Sequence, residues 1–150
     1  MLRSMGQQCS EVRLPCHLEG IDALIMPGGE STTFSRLMDI YRLKDPIKEM
    51  ASAGVSIWGT CAGMIMLAKE LTDDKPTPLG LMGIQVTRNA FGRQLDSFEA
   101  DLFVKPLGDQ PFRAVFIRAP VISRIDPGVE ARKHVKRGGR FHTTYTRNAR

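Results

Sequence analysis

The segment Val55-Ser56-Ile57-Trp58-Gly59-Thr60-Cys61-Ala62-Gly63-Met64 constrains this chain more than any other. An apolar run of strand type ends in Gly-x-Cys-x-Gly, and an apolar run of helix type, Met64 to Leu71, follows with no linker between them. Two glycines let the backbone turn sharply and let the helix pack close to the strand. The cysteine projects from that turn beside a helix N-terminus, where free N–H groups and the helix dipole favour a thiolate. Such a pattern is the thiol form of the nucleophile elbow. A small buried thiol in a tight turn is the plain alternative that the residues leave open at this point.

A second strand-to-turn junction precedes it. Gly20 to Pro27 predicts a short buried strand that ends at Pro27-Gly28-Gly29-Glu30-Ser31-Thr32-Thr33. Ser/Thr capping chemistry predicts a helix from about Thr33 to Ile40. A further helix is expected over Asp45 to Ala53, with Pro46 in its first turn and Gly54 just past its end. After a polar loop, Asp73 to Pro78, the period changes, and short strands are expected over Gly83–Arg88, Ser97–Lys105 and Arg113–Ile117. Strand and helix alternating early in a chain predict an α/β fold with a parallel sheet. Ligands on such sheets bind at the carboxyl ends of strands, so both Gly-rich turns are placed to face one crevice.

At 150 residues the chain has the size of one domain. Its formal charge of +5 is unevenly spread. Residues 131–150 hold seven Lys and Arg and no acid, whereas the first 130 hold 14 basic and 16 acidic groups. The expected organisation is a mildly acidic domain over residues 1–130, followed by a basic tail, 131–150, without helix or strand period and without packed structure. That tail lacks a recognised nucleic-acid fold or interleaved aromatic residues, so nucleic-acid binding is not expected. No run approaches 18 apolar residues, so no membrane span is expected. Met1 to Gly6 has no long apolar region of signal type. Three cysteines, Cys9, Cys16 and Cys61, have no disulfide-framework spacing, which fits a reducing cytoplasm better than a secreted fold. Cys9, Cys16 and His17 have no zinc-ligand spacing, and neither metal nor cofactor is expected.

A thiolate attacking an acyl group needs an oxyanion hole. The N–H of Ala62 is one natural donor, and the Gly28-Gly29 turn offers approachable amides for a second. Arg88 and Arg118 each follow an apolar strand-like run and suit a substrate carboxylate through forked hydrogen bonds. A cysteine nucleophile also calls for a histidine base. Only His17, His134 and His142 are available, the first in the N-terminal segment and the others in the basic tail, and none has a catalytic sequence context.

Several runs taken together resemble one family. Leu24-Ile25-Met26-Pro27-Gly28-Gly29-Glu30-Ser31-Thr32-Thr33 and Gly59-Thr60-Cys61-Ala62-Gly63 are similar to hallmarks of the glutaminase subunits of pyridoxal 5′-phosphate synthase, which are class I (triad-type) glutamine amidotransferases. Leu79 to Met82, Arg88-Asn89-Ala90-Phe91-Gly92-Arg93-Gln94, Asp96 to Ala100 and Val115-Phe116-Ile117-Arg118-Ala119-Pro120 match in the same order, over about residues 10 to 130. The resemblance implies a flavodoxin-like three-layer α/β sandwich with a mostly parallel central sheet. It implies hydrolysis of L-glutamine to glutamate and ammonia, with Cys61 as nucleophile and with Gly29, Glu30, Ser31, Arg88, Ile117 and Arg118 lining the glutamine site. It also implies a hetero-oligomeric partner, the synthase subunit that consumes the ammonia. The chain is expected to start inside the family's first helix, without the first central strand. The family's Ser-Phe-His-Pro-Glu motif is not reproduced, because Phe141-His142 is followed by Thr143-Thr144. A catalytically impaired or non-catalytic binding subunit is therefore the alternative. Another cysteine-nucleophile protein of similar fold is a third reading, which the Gly29-Glu30-Ser31 and Arg88-to-Gln94 runs disfavour.

Overall fold

The computed structural model describes residues 2–88, 98–102, 109–116, 120–131, 134–137, 140–143 and 146–148. Strand β1 (Ala23–Met26) leads into helix α1 (Ser31–Ile40), and helix α2 (Lys44–Ser52) leads into strand β2 (Ser56–Gly59). β1 and β2 pair in parallel, with Ile25 opposite Trp58 and Met26 opposite Gly59. Their carboxyl ends thus lie side by side, and the chain leaves one through Gly28-Gly29 and the other through Cys61. Alternation along β1 buries Leu24 and Met26 and leaves Ala23 and Ile25 exposed, so one face of this pair meets the helices.

Helix α3 (Ala62–Leu67) starts immediately after Cys61. Five of its six residues are buried, as expected of a helix that is apolar all round. It separates two parts of the core. Met66 and Leu67 join Leu24, Met26, Met38, Leu43, Ile47 and Leu79, whereas Ile65 joins Ala68, Ile84, Val86 and Ile122. The sequence predicts helix through Leu71, but the helix stops at Leu67, and Ala68 turns to φ −55, ψ 150. Residues Ala68–Leu71 form strand β3 instead. The physical reason is non-local. β3 pairs in parallel with β4 (Met82–Thr87), and Lys69 and Glu70 find ion-pair partners on Asp126 and Arg124.

β4 also pairs antiparallel with β7 (Val121–Ile125), a strand the sequence reading did not separate from its surroundings. β5 (Phe98–Leu102) and β6 (Phe112–Phe116) form an antiparallel pair, in agreement with the expected strands there as far as they are described. The tail departs from expectation. β8 (Val129–Ala131) pairs with β11 (Thr146–Asn148), and β9 (His134–Arg137) pairs with β10 (Arg140–Thr143), all antiparallel. Main-chain hydrogen bonds hold such ladders, so they form without the apolar alternation that marks a strand in sequence. No helix among the described residues is long and apolar enough to cross a membrane.

Candidate active site

The elbow is built from main chain. Cys61 sits at φ 49, ψ −107, an uncommon conformation for a residue with a side chain. It is held there from both sides: the Thr60 N–H donates to the Met26 carbonyl at 3.0 Å, and the Gly63 N–H donates to the Thr60 and Pro27 carbonyls at 2.9 and 3.2 Å. Both glycines are required by space. A β-carbon at Gly63 would lie 2.0 Å from the Met26 carbonyl oxygen, and one at Gly59 would lie 2.6 Å from the main chain of Gly63. Strand β1 and helix α3 thus touch backbone to backbone, and Cys61 is left exposed at the mouth.

The two Gly-rich turns lie against each other. A β-carbon at Gly28 would lie 3.4 Å from the Cys61 Cβ, so the absence of a side chain there keeps the approach to the thiol open. Gly29 follows at φ 151, a value that favours glycine. The N–H of Ala62, in the first turn of α3 where amides have no intrahelical acceptor, carries no hydrogen bond among the described residues, and neither does that of Gly29.

Glu30 caps α1, where the sequence predicts Ser or Thr in that role. Its two carboxylate oxygens accept from the Thr32 N–H at 2.9 Å and the Thr33 N–H at 2.6 Å. These main-chain hydrogen bonds, that from Thr32 foremost, hold its carboxyl down to about 2 from an ordinary 4.5. Ser31, the next residue, is buried, and its hydroxyl accepts from Arg88 Nη1 at 3.0 Å. The same nitrogen donates to Thr32 Oγ1 at 3.1 Å, and Arg88 Nε donates to Asp73 Oδ2 at 3.0 Å. Arg88, just past β4, is thereby fastened to the N-terminus of α1, just past β1. Of the expected site residues, Gly29, Glu30 and Ser31 are contiguous with the turn against Cys61, and Arg88 is bonded to Ser31. Ile117 and Arg118 lie outside the described residues.

Two neighbours of Arg88 escaped sequence reasoning. Thr32 reads there as capping chemistry, and Asp73 as a loop residue. The parallel register of β3 with β4, Leu71 opposite Val86, is the signal that brings Asp73 level with Arg88, and it is hidden while β3 is taken for helix. Cys61 Sγ makes no hydrogen bond among the described residues. His17 Nδ1 accepts from the Arg13 N–H at 3.2 Å in the N-terminal segment, and His134 and His142 lie on β9 and β10. No group of three or more His, Cys, Asp or Glu suited to a metal ion occurs among the described residues.

The site is thus an exposed cysteine on a strained strand-to-helix turn at the carboxyl end of a parallel pair, with unengaged amides beside it, in an α/β protein. The chain belongs to the SNO glutamine amidotransferase family, whose model matches residues 1–142. It is 51% identical over 130 residues to the pyridoxal 5′-phosphate synthase subunit PdxT of Moorella thermoacetica, covering 87% of this chain and 69% of that one. It is 54% identical over 132 residues to the subunit of the same name from Dehalococcoides mccartyi, covering 87% and 68%. A solved structure described as a glutamine amidotransferase superposes with a TM-score of 0.85 at 43% identity, over 98% of this chain and 76% of that one. The fold class is therefore the expected flavodoxin-like α/β one, with its parallel ladders beneath the site.

Proposed function

We propose that this chain is the glutaminase subunit of a pyridoxal 5′-phosphate synthase. Cys61 attacks the side-chain amide carbon of L-glutamine, the C–N bond breaks, and ammonia leaves. Water then cleaves the glutamyl thioester to release glutamate and restore the thiol. The oxyanion formed at each stage is met by the N–H of Ala62 and an amide of the Gly28-Gly29 turn. Gly29, Glu30, Ser31, Arg88, Ile117 and Arg118 line the glutamine site, with Arg88 and Arg118 for the substrate's own carboxylate. Ammonia passes to the synthase subunit, the partner with which the chain forms a hetero-oligomer. Cytoplasmic placement belongs to the same reading and is supported by the free thiols of Cys9, Cys16 and Cys61.

The observation that carries this reading is the Gly28 turn pressed against the Cys61 elbow, with unengaged amides on both. Glutamine-dependent ammonia release, with and without the synthase subunit, tests it. The expected result is release in the mixture, lost in Cys61→Ala, and little from the chain alone. A second reading, a subunit that keeps the glutamine pocket without turnover, is favoured by the lack of a hydrogen-bond partner on Cys61 Sγ among the described residues. Covalent capture of Cys61 by a glutamine-like diazoketone, with no ammonia released from glutamine in the mixture, would select it.

A further inference from the structure

We propose that Asp73 is a positioning residue for glutamine binding, acting through Arg88. This rests on the assignment of Arg88 to the glutamine carboxylate made above. Parallel strands β3 and β4 end side by side, and Asp73 stands two residues past Leu71 as Arg88 stands two past Val86. The Asp73 carboxylate accepts from Arg88 Nε at 3.0 Å. The Ser31 and Thr32 hydroxyls, at the start of α1, both accept from Arg88 Nη1. The guanidinium is thus held by acceptors at two of its three nitrogens, and Nη2 carries no hydrogen bond among the described residues. With side-chain exposures of 19% for Arg88 and 39% for Asp73, the pair lies at the mouth and not in the core.

An arginine side chain is rich in rotamers, and immobilising one on binding costs free energy. Three acceptors remove that freedom before the substrate arrives and leave Nη2 to face its carboxylate. Asp73 supplies the only anionic acceptor of the three. The bonds from Arg88 Nη1 to the two uncharged hydroxyls fix one edge of the fork, whereas the bond from Nε to the Asp73 carboxylate, charged on both sides, fixes its rotation. A carboxylate beside Arg88 also offsets its positive charge, so positioning and charge competition predict opposite effects of removing Asp73.

The test is saturable inactivation of Cys61 by the glutamine-like diazoketone, in the mixture with the synthase subunit. It yields a half-saturating concentration and a limiting rate. Positioning predicts that Asp73→Ala raises the half-saturating concentration about tenfold, the scale of one charge-assisted hydrogen bond at a partly exposed site, with the limiting rate within about twofold. Asp73→Asn keeps an acceptor for Nε and recovers most of the loss. An unchanged or lower half-saturating concentration in Asp73→Ala overturns the proposal, and a lower one identifies Asp73 as a competing charge. Hydrogen exchange at Arg88 Nε–H gives an independent reading, expected to accelerate in Asp73→Ala. Unaltered exchange overturns the proposal whatever the labelling shows. A wild-type chain that is not labelled saturably, yet shows slow Nε–H exchange that Asp73→Ala accelerates, overturns the glutamine assignment of Arg88 and leaves Asp73 holding it for another purpose.

Discussion

Cys61 and Gly63 exert their effects by different means, and substitution separates them. Under the proposed reaction Cys61→Ala removes the attacking thiol from an exposed position, so ammonia release is expected to vanish while the thermal midpoint stays close to wild type. Gly63→Ala drives a β-carbon into the Met26 carbonyl oxygen, a rigid main-chain atom. Overpacking against side chains typically costs about 1–3 kcal/mol, and the upper end is expected here because neither partner yields. Denaturant titration would show it as a lowered midpoint. Glu30 has a pH signature. Its carboxyl sits at about 2 when folded against 4.5 ordinarily, so its contribution to the start of α1 is complete above 4.5 and is lost as the pH falls toward 2. Glu30→Ala should be less stable than wild type at neutral pH, with the difference closing over that acid range in a helix-sensitive spectroscopic titration.

Among the elements, α3 bears the most packing. Met66 is fully buried in a core cluster that also takes Leu24 and Met26 of β1, Met38 of α1 and Ile47 of α2. Met66→Ala is expected to cost about 2–5 kcal/mol, read from denaturant unfolding, because it leaves a cavity at a fully buried position of that cluster. The same element shows what the sequence makes legible. Gly59 to Gly63 reads correctly as a strand-to-helix turn, because glycine spacing and apolar runs are local signals. The end of α3 does not read, because Ala68-Lys69-Glu70-Leu71 has good helical propensity and becomes strand only through its ladder with β4 and its charges on Asp126 and Arg124. β7 is hidden for a related reason. Val121-Ile122-Ser123-Arg124-Ile125 lacks strict alternation, and its Ser123 and Arg124 are accounted for by Gln85 and Glu70 across the sheet. Around the site, Arg88 is singled out by the apolar run before it and Ser31 by the resemblance, whereas the bonds of Arg88 to Ser31, Thr32 and Asp73 are tertiary and leave no local signal.

At the scale of the whole molecule, the sheet pair β1–β2 has one face against the helices and one in solvent, where Ile25 and Trp58 stand opposite each other at 38% and 45% exposure. Parallel strands are ordinarily covered on both faces, and adjoining exposed apolar groups favour association. The free chain is expected to self-associate with rising concentration in light scattering, and Trp58→Lys is expected to reduce this. Because Gly63 rests on the carbonyl of Met26, the place of the thiol is set by the main chain of strand β1 and helix α3 and not by the side chains that surround it. Residues on the rim of the crevice can then be exchanged, altering what is recognised, without retuning where the sulfur stands. Reactivity and selectivity are thereby separable properties in this architecture.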